Sequence, residues 1–168
     1  RERAAEIGWT LAIESVPGSG YLFSGRGFNI ESLCVAETED PGVSRMTVVS
    51  EGNDQIIEQI LKQLNKLIPV LKVIDFTGVD TVDRELVLVK VKADNDTKPE
   101  VLRLIDIFRA KVVDVAPRFY TIEMTGGEGK VNAFLQMLRP LGIKDIVRTG
   151  KIAIALTHGI PVVGLRTW

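Results

Sequence analysis

Residues Gly126-Gly127-Glu128-Gly129-Lys130 follow an apolar, strand-like run and precede a helix-like one, where free backbone N–H groups can favour an anion. Their spacing departs from the Gly-x-x-x-x-Gly-Lys-Ser/Thr pattern that wraps a phosphate, so a plain strand-to-helix turn is expected. Asp75, Asp80, Asp83 and Glu85 place four carboxylates close together in the chain, as general acid–base chemistry would require. They lie in or beside a polar connection, where a solvated linker is the simpler account. His158 has no second His, Cys or ordered carboxylate at metal-ligand spacing and reads as a solvated side chain. No nucleophile, base and orienting group can be assembled. Cys34, the sole cysteine, lies in an apolar run and reads as a small core residue. Arg26 and Arg45 suit surface or interface ion pairs. Trp9 and Trp168, near opposite chain ends, suit core or interface anchors better than a base-stacking array. Asn29 opens a strand-like run, and its amide carries both donors and acceptors. From spacing alone it is either a turn residue or a ligand contact.

The 21 basic and 22 acidic residues nearly cancel, and no long basic run occurs. That balance argues against nucleic acid and membrane surfaces and leaves small ligands and protein partners. A single cysteine cannot form an intramolecular disulfide, which fits a reducing compartment. No apolar stretch approaches the roughly 20 residues that span a bilayer, and Arg1-Glu2-Arg3 is not followed by a signal-like apolar segment. A cytoplasmic location is the expectation. With 45% hydrophobic residues in 168, the chain can build the core of one ordinary domain or of two small ones.

The elements that must position these residues are visible as periodicities. In the second half, a strand is expected over 85–93, a helix over 98–109 with Val101, Leu102, Ile105 and Phe108 inward, and strands over 111–116 and 119–125. A helix over 130–139, a strand over 143–148 and an apolar run over 151–157 follow. Thr97 and Glu100 have the spacing of a capping box. In the first half, Trp9, Leu11 and Ile13 alternate as a strand, followed by strand 28–36, a turn at Asp40-Pro41-Gly42 and strand 44–50. Helix 54–68 comes next, with Ile56, Ile57, Ile60, Leu61, Leu64, Leu67 and Ile68 on one face and Pro69 as its stop, and then strand 70–76. The order βαββαβ is thus traced twice. It predicts an α+β fold of two ferredoxin-like units, each an antiparallel sheet with its helices on one face. The expected divisions are an atypical segment 1–20 that can supply the first strand, a domain over 21–76, a linker over 77–84, a second domain over 85–157 and a tail over 158–168. Between Glu14 and Gly27, Pro17, Gly18 and Gly20 use up much of the chain as loop. A helix of six residues is only about 9 Å long, against about 17–20 Å for a typical strand, so the first crossover helix is expected to be shortened.

Several separated stretches carry a family resemblance. They include Leu22-Phe23-Ser24, Arg26 through Leu33, Ser44-Arg45-Met46-Thr47, the helix from Glu58 to Leu67, Arg84 through Val91, Ile107-Phe108-Arg109, Val113-Asp114-Val115 and Arg148-Thr149-Gly150. From Leu22 to about Leu156 the chain resembles the small regulatory subunit of acetolactate synthase, an ACT-domain family. Residues Gly8 through Gly20 instead resemble the last glycine-containing segment of histidine-kinase ATP-binding domains. The Asn- and Asp-containing nucleotide motifs of those domains are absent, so no ATP site is expected.

The resemblance implies a non-catalytic subunit that activates the catalytic subunit of acetolactate synthase in branched-chain amino acid biosynthesis and mediates feedback inhibition by valine. It implies homodimers formed through the ACT domains, with the effector held between two of them by Asn29, Ile30 and the loop glycine Gly18. It also implies that thiamine diphosphate, Mg and FAD belong to the catalytic partner and that this chain binds no cofactor itself. The shortened first crossover implies weakened effector binding. A stand-alone amino-acid-binding ACT module, or a structural fusion product with impaired ligand binding, remains the alternative.

Overall fold

In the computed structural model the described residues are 7–15, 30–52, 54–156 and 162–165. The chain forms two compact units, Arg1–Val82 with Lys151–Trp168, and Asp83–Gly150. Each carries an antiparallel sheet, and the α+β architecture with two ferredoxin-like units is the one expected.

The first unit contains β1 (Ile7–Ser15), β2 (Ile30–Glu37), β3 (Ser44–Gly52), α1 (Asp54–Leu64) and β4 (Val70–Asp75). Two later strands, β9 (Ile152–Ala155) and β10 (Val162–Leu165), return to it. The sheet order is β10-β4-β1-β3-β2. β1 is central: it pairs with β3 along its whole length, from Ile7 opposite Gly52 to Ser15 opposite Ser44, and with β4 on its other side. The alternation of its sequence is what seats it there. Leu11 and Ile13 are fully buried on the α1 side with Met46, Val48, Ile57, Ile60 and Leu64, while Ala12 faces the opposite layer with Ile74, Phe76 and Ala153. The β2–β3 turn closes as its sequence demands, with the Gly42 amide donating to Asp40 Oδ1 at 2.8 Å and the Thr38 amide to the Val43 carbonyl at 2.9 Å.

Helix α1 stops at Leu64, before Pro69, and unwinds through tighter bonds from the Lys66 amide to the Gln63 carbonyl and from the Leu67 amide to that of Leu64. Ile68 therefore leaves the apolar face on which the helical period put it and is largely exposed. Leu61 and Leu67 remain packed against the core.

The second unit is built from β5 (Thr81–Lys92), which starts just before the unit boundary, then α2 (Lys98–Phe108), β6 (Lys111–Val115), β7 (Phe119–Gly126), α3 (Glu128–Gly142) and β8 (Ile143–Arg148). Strands run side by side as β6-β7-β5-β8. Val87, Val89 and Val91 of β5 and Tyr120, Ile122 and Met124 of β7 project onto both helices, and the Phe108 and Phe134 rings meet at 5.2 Å between centroids.

Two expectations fail here. The buried face of α2 is Val101, Leu104 and Ile105, and Leu102 is exposed. The spacing i, i+3, i+4, i+7 from Val101 selects Leu104 over its neighbour at i+1. Thr97 and Glu100 form no capping box: Thr97 sits in helical backbone geometry without a side-chain cap. Its hydroxyl lies 3.0 Å from Asp94 Oδ1, and that same carboxylate oxygen accepts the Thr97 amide at 3.1 Å. Asp94 thus organises the turn ahead of the helix, and Glu100 pairs with Arg103 instead. Helix α2 ends where Arg109 adopts a left-handed conformation (φ 54°) and the Ala110 amide reaches back to the Ile105 carbonyl at 2.9 Å.

Candidate functional site

Of the three residues expected to hold an effector, Asn29 and Gly18 lie outside the described residues. Ile30 opens β2, the edge strand of the first sheet, half-buried against the core that contains α1. It pairs with Ser50, and β2 is bulged between Ile30 and Ser32, so two of its residues share the space of one on β3. Trp9 of β1 also stands opposite Ser50, whereas Ser15, the last residue of β1, stands opposite Ser44. The start of β2 and the end of β1 are therefore separated by six residue steps, roughly 20 Å along the strands. Within one chain they mark opposite ends of the sheet.

Edge strand β2 also carries Leu33 and Val35 with their side chains about half exposed, and Cys34 half-buried between them. Cys34 is thus an edge residue and not the core residue expected. Ser32 Oγ accepts the Lys151 amide at 2.9 Å, tying the segment before β9 to the same strand.

The four carboxylates of the polar connection, two from each unit, fall into different surroundings. Asp80 is exposed, Asp75 accepts the Thr77 amide at 2.8 Å, and Glu85 is buried. Arg148 of β8 grips Glu85 with two parallel bonds, Nε to Oε1 at 2.6 Å and the second guanidinium nitrogen to Oε2 at 2.5 Å. Asn132 of α3 lies 3.4 Å from the same guanidinium. Its bond to Glu85 holds the Arg148 proton more tightly than usual, against the opposing effect of burial, and the charges of Glu85 and Glu128 add to it. Next to this pair, the Leu86 amide donates to Thr149 Oγ1 at 3.1 Å and the Thr149 amide to the Leu86 carbonyl at 3.0 Å. The pairing joins residues 63 apart, and no local spacing announces it. Its one trace in the sequence is that Arg84–Val91 and Arg148-Thr149-Gly150 are both among the stretches that carry the family resemblance.

The Gly126-to-Lys130 turn is built against anions. A side chain at Gly127 would come within 3.6 Å of the Asp83 carboxylate, so an acid already faces the N-terminus of α3, and Glu128 occupies its first turn. Those charges satisfy the helix dipole and would repel a phosphate. Among the described residues, no group of three or more His, Cys, Asp or Glu side chains is placed to hold a metal ion. No helix among them is long and apolar enough to cross a membrane.

Two tandem ferredoxin-like units, the first ending in an open edge strand, place the molecule in the class of double-domain proteins of ACT type. A family model described as the small subunit of acetolactate synthase matches residues 84–157, and one described as an AHAS small subunit-like ACT domain matches residues 20–72. The acetolactate synthase small subunit of Aquifex aeolicus is 53% identical over 134 residues, 79% of this chain and 70% of the relative. A probable acetolactate synthase small subunit of Archaeoglobus fulgidus is 50% identical over 148 residues, 86% of this chain and 92% of the relative. The crystal structure of the small subunit from Thermotoga maritima superposes with a TM-score of 0.80 at 36% identity, covering 91% of this chain and 99% of that one. The chain belongs to the acetolactate synthase small-subunit family.

Proposed function

We propose that this chain is a cytoplasmic regulatory subunit that binds the catalytic subunit of an acetolactate synthase, raises its activity and conveys feedback by valine. The observation that carries the reading is the presence of both family domains in one chain, each on its own ferredoxin-like unit. Catalysis, with thiamine diphosphate, Mg and FAD, belongs to the partner. This chain acts by binding differently to two states of that partner, a coupling typically worth about 1–3 kcal/mol.

The effector site is formed by Asn29 and Ile30 from one copy and the Gly18 loop from another. The roughly 20 Å between the end of β1 and the start of β2 supports this division, because one amino acid cannot bridge it within a chain. If β2 pairs antiparallel with its counterpart in centred register, Ile30 stands opposite Glu37 of the second copy. Glu37 is level with Ser44, and hence with the end of β1. The two halves of the site are then neighbours. The short segment between β1 and β2 weakens this site.

The test is to add the purified chain to an acetolactate synthase catalytic subunit and follow turnover with and without valine. Activation with little reversal by valine is expected. Neither activation nor co-purification would overturn the regulatory reading, and full reversal by valine would overturn the weakened site alone.

A further inference from the structure

Strand β4 reads Val-Leu-Lys-Val-Ile-Asp, with four apolar residues in six. A short apolar strand left at a sheet edge is a template for pairing with another chain. One side of β4 is occupied by β1, through Leu11 opposite Asp75 to Ser15 opposite Val70. The other side is taken by β10, with Val162 opposite Ile74, Gly164 opposite Val73 and Leu165 opposite Lys72. The pairing is short, and its register shifts between Val162 and Gly164. The family match over the second domain ends at residue 157, so β10 lies beyond it. At the opposite side of the sheet, β2 has no such cover among the described residues.

We propose that β10 is an edge guard: a strand the chain lays along its own β4 to exclude a strand from a second copy, which leaves β2 as the open edge of the described first sheet. The advantage of a guard carried in the same chain is local concentration. Leu156, whose amide donates to the Asp80 carbonyl at 2.9 Å, anchors the segment only a few residues before β10. A short tether holds a strand at an effective concentration of roughly millimolar, so at micromolar protein it outcompetes a second copy by about a thousandfold. A three-pair ladder with a register shift is sufficient under that condition, though it would be a poor association between separate molecules.

Amide hydrogen exchange on the intact chain decides the matter. Successive amides of an antiparallel strand point to alternate neighbours, so a guarded β4 protects all of Lys72–Asp75. An unguarded one protects every second amide. Continuous protection is expected, with each amide slowed by at least roughly tenfold relative to an unpaired one. A two-residue alternation in the intact protein would overturn the proposal. A chain lacking residues 158–168, and the variant Gly164→Pro, which removes one backbone N–H, should both show that alternation and form larger species as concentration rises. A peptide of residues 158–168 should reverse both effects only when supplied at roughly millimolar concentration, the level the tether provides. A shortened chain that keeps the parent far-UV spectrum and stays at the parent size at every concentration would also overturn it. If shortening unfolds the protein, the exchange pattern of the intact chain is the deciding result.

Discussion

Glu85 and Arg148 illustrate how far a single residue's surroundings can depart from its place in the sequence. Glu85 lies at the end of a polar stretch, where solvent is the natural expectation, yet it is only 6% exposed because β5 already runs through it and aims it, like Val87 and Val89, toward the helices. Removing Arg148 would strand that carboxylate. Arg148→Met is expected to cost about 2–4 kcal/mol in urea unfolding, toward the low side for a buried pair because the arginine itself is 40% exposed. Adding Glu85→Gln to that variant should recover a large part of the loss, which a merely bulky role for Arg148 would not allow. Asp94 gives a prediction in pH. The Lys92 ammonium, followed by the Thr97 hydroxyl and amide, holds its carboxyl at about 2, below its ordinary value. A depressed acid stabilises the fold at pH values above its unfolded pKa, and that contribution fades as pH falls toward 2. Asp94→Asn should therefore be less stable than the parent at neutral pH and indistinguishable from it near pH 2, as read from thermal unfolding across the range. The Asp94 carboxyl resonance should titrate near the same value.

The elements were the most legible level, and the reason is periodicity. Alternation in Trp9, Leu11 and Ile13 is enough to place β1 as a strand, although the family match begins only at residue 20. A central strand must present one apolar row to each layer, and Leu11 and Ile13 with Ala12 meet that demand. Helix faces and ends were less legible. Neighbouring leucines at 102 and 104 are equal in hydrophobicity, and only the rotation of α2 separates them. Leu104→Ala is expected to lower stability by about 2–5 kcal/mol and Leu102→Ala by less than about 1 kcal/mol, measured by denaturant midpoints. Equal losses would mean that α2 is rotated from the orientation described. Helix α3 continues past Pro140 to Gly142, where φ is positive (96°). The proline falls in the last turn, where its missing N–H costs one bond and does not end the helix.

At the scale of the whole molecule, repetition of the βαββαβ order revealed the fold, while the proposed effector site was only partly legible. The sequence supplied Ile30 at the start of a strand. It could not supply the register that sets Ile30 level with Trp9 and away from Ser15, because strand offsets depend on long-range pairing. Nor did it reveal that β9 and β10 rejoin the first unit after the second has intervened. That interruption gives synthesis an order. Every residue of the second unit leaves the ribosome before the first sheet can be completed, and at typical translation speeds the delay between Asp75 and Val162 is roughly 4–17 s. During that interval β4 emerges without its later neighbour, on nascent chains that share a messenger with others at the same stage. Crowding on the polysome, more than the concentration of finished protein, is where this sheet is most vulnerable to pairing with the wrong chain.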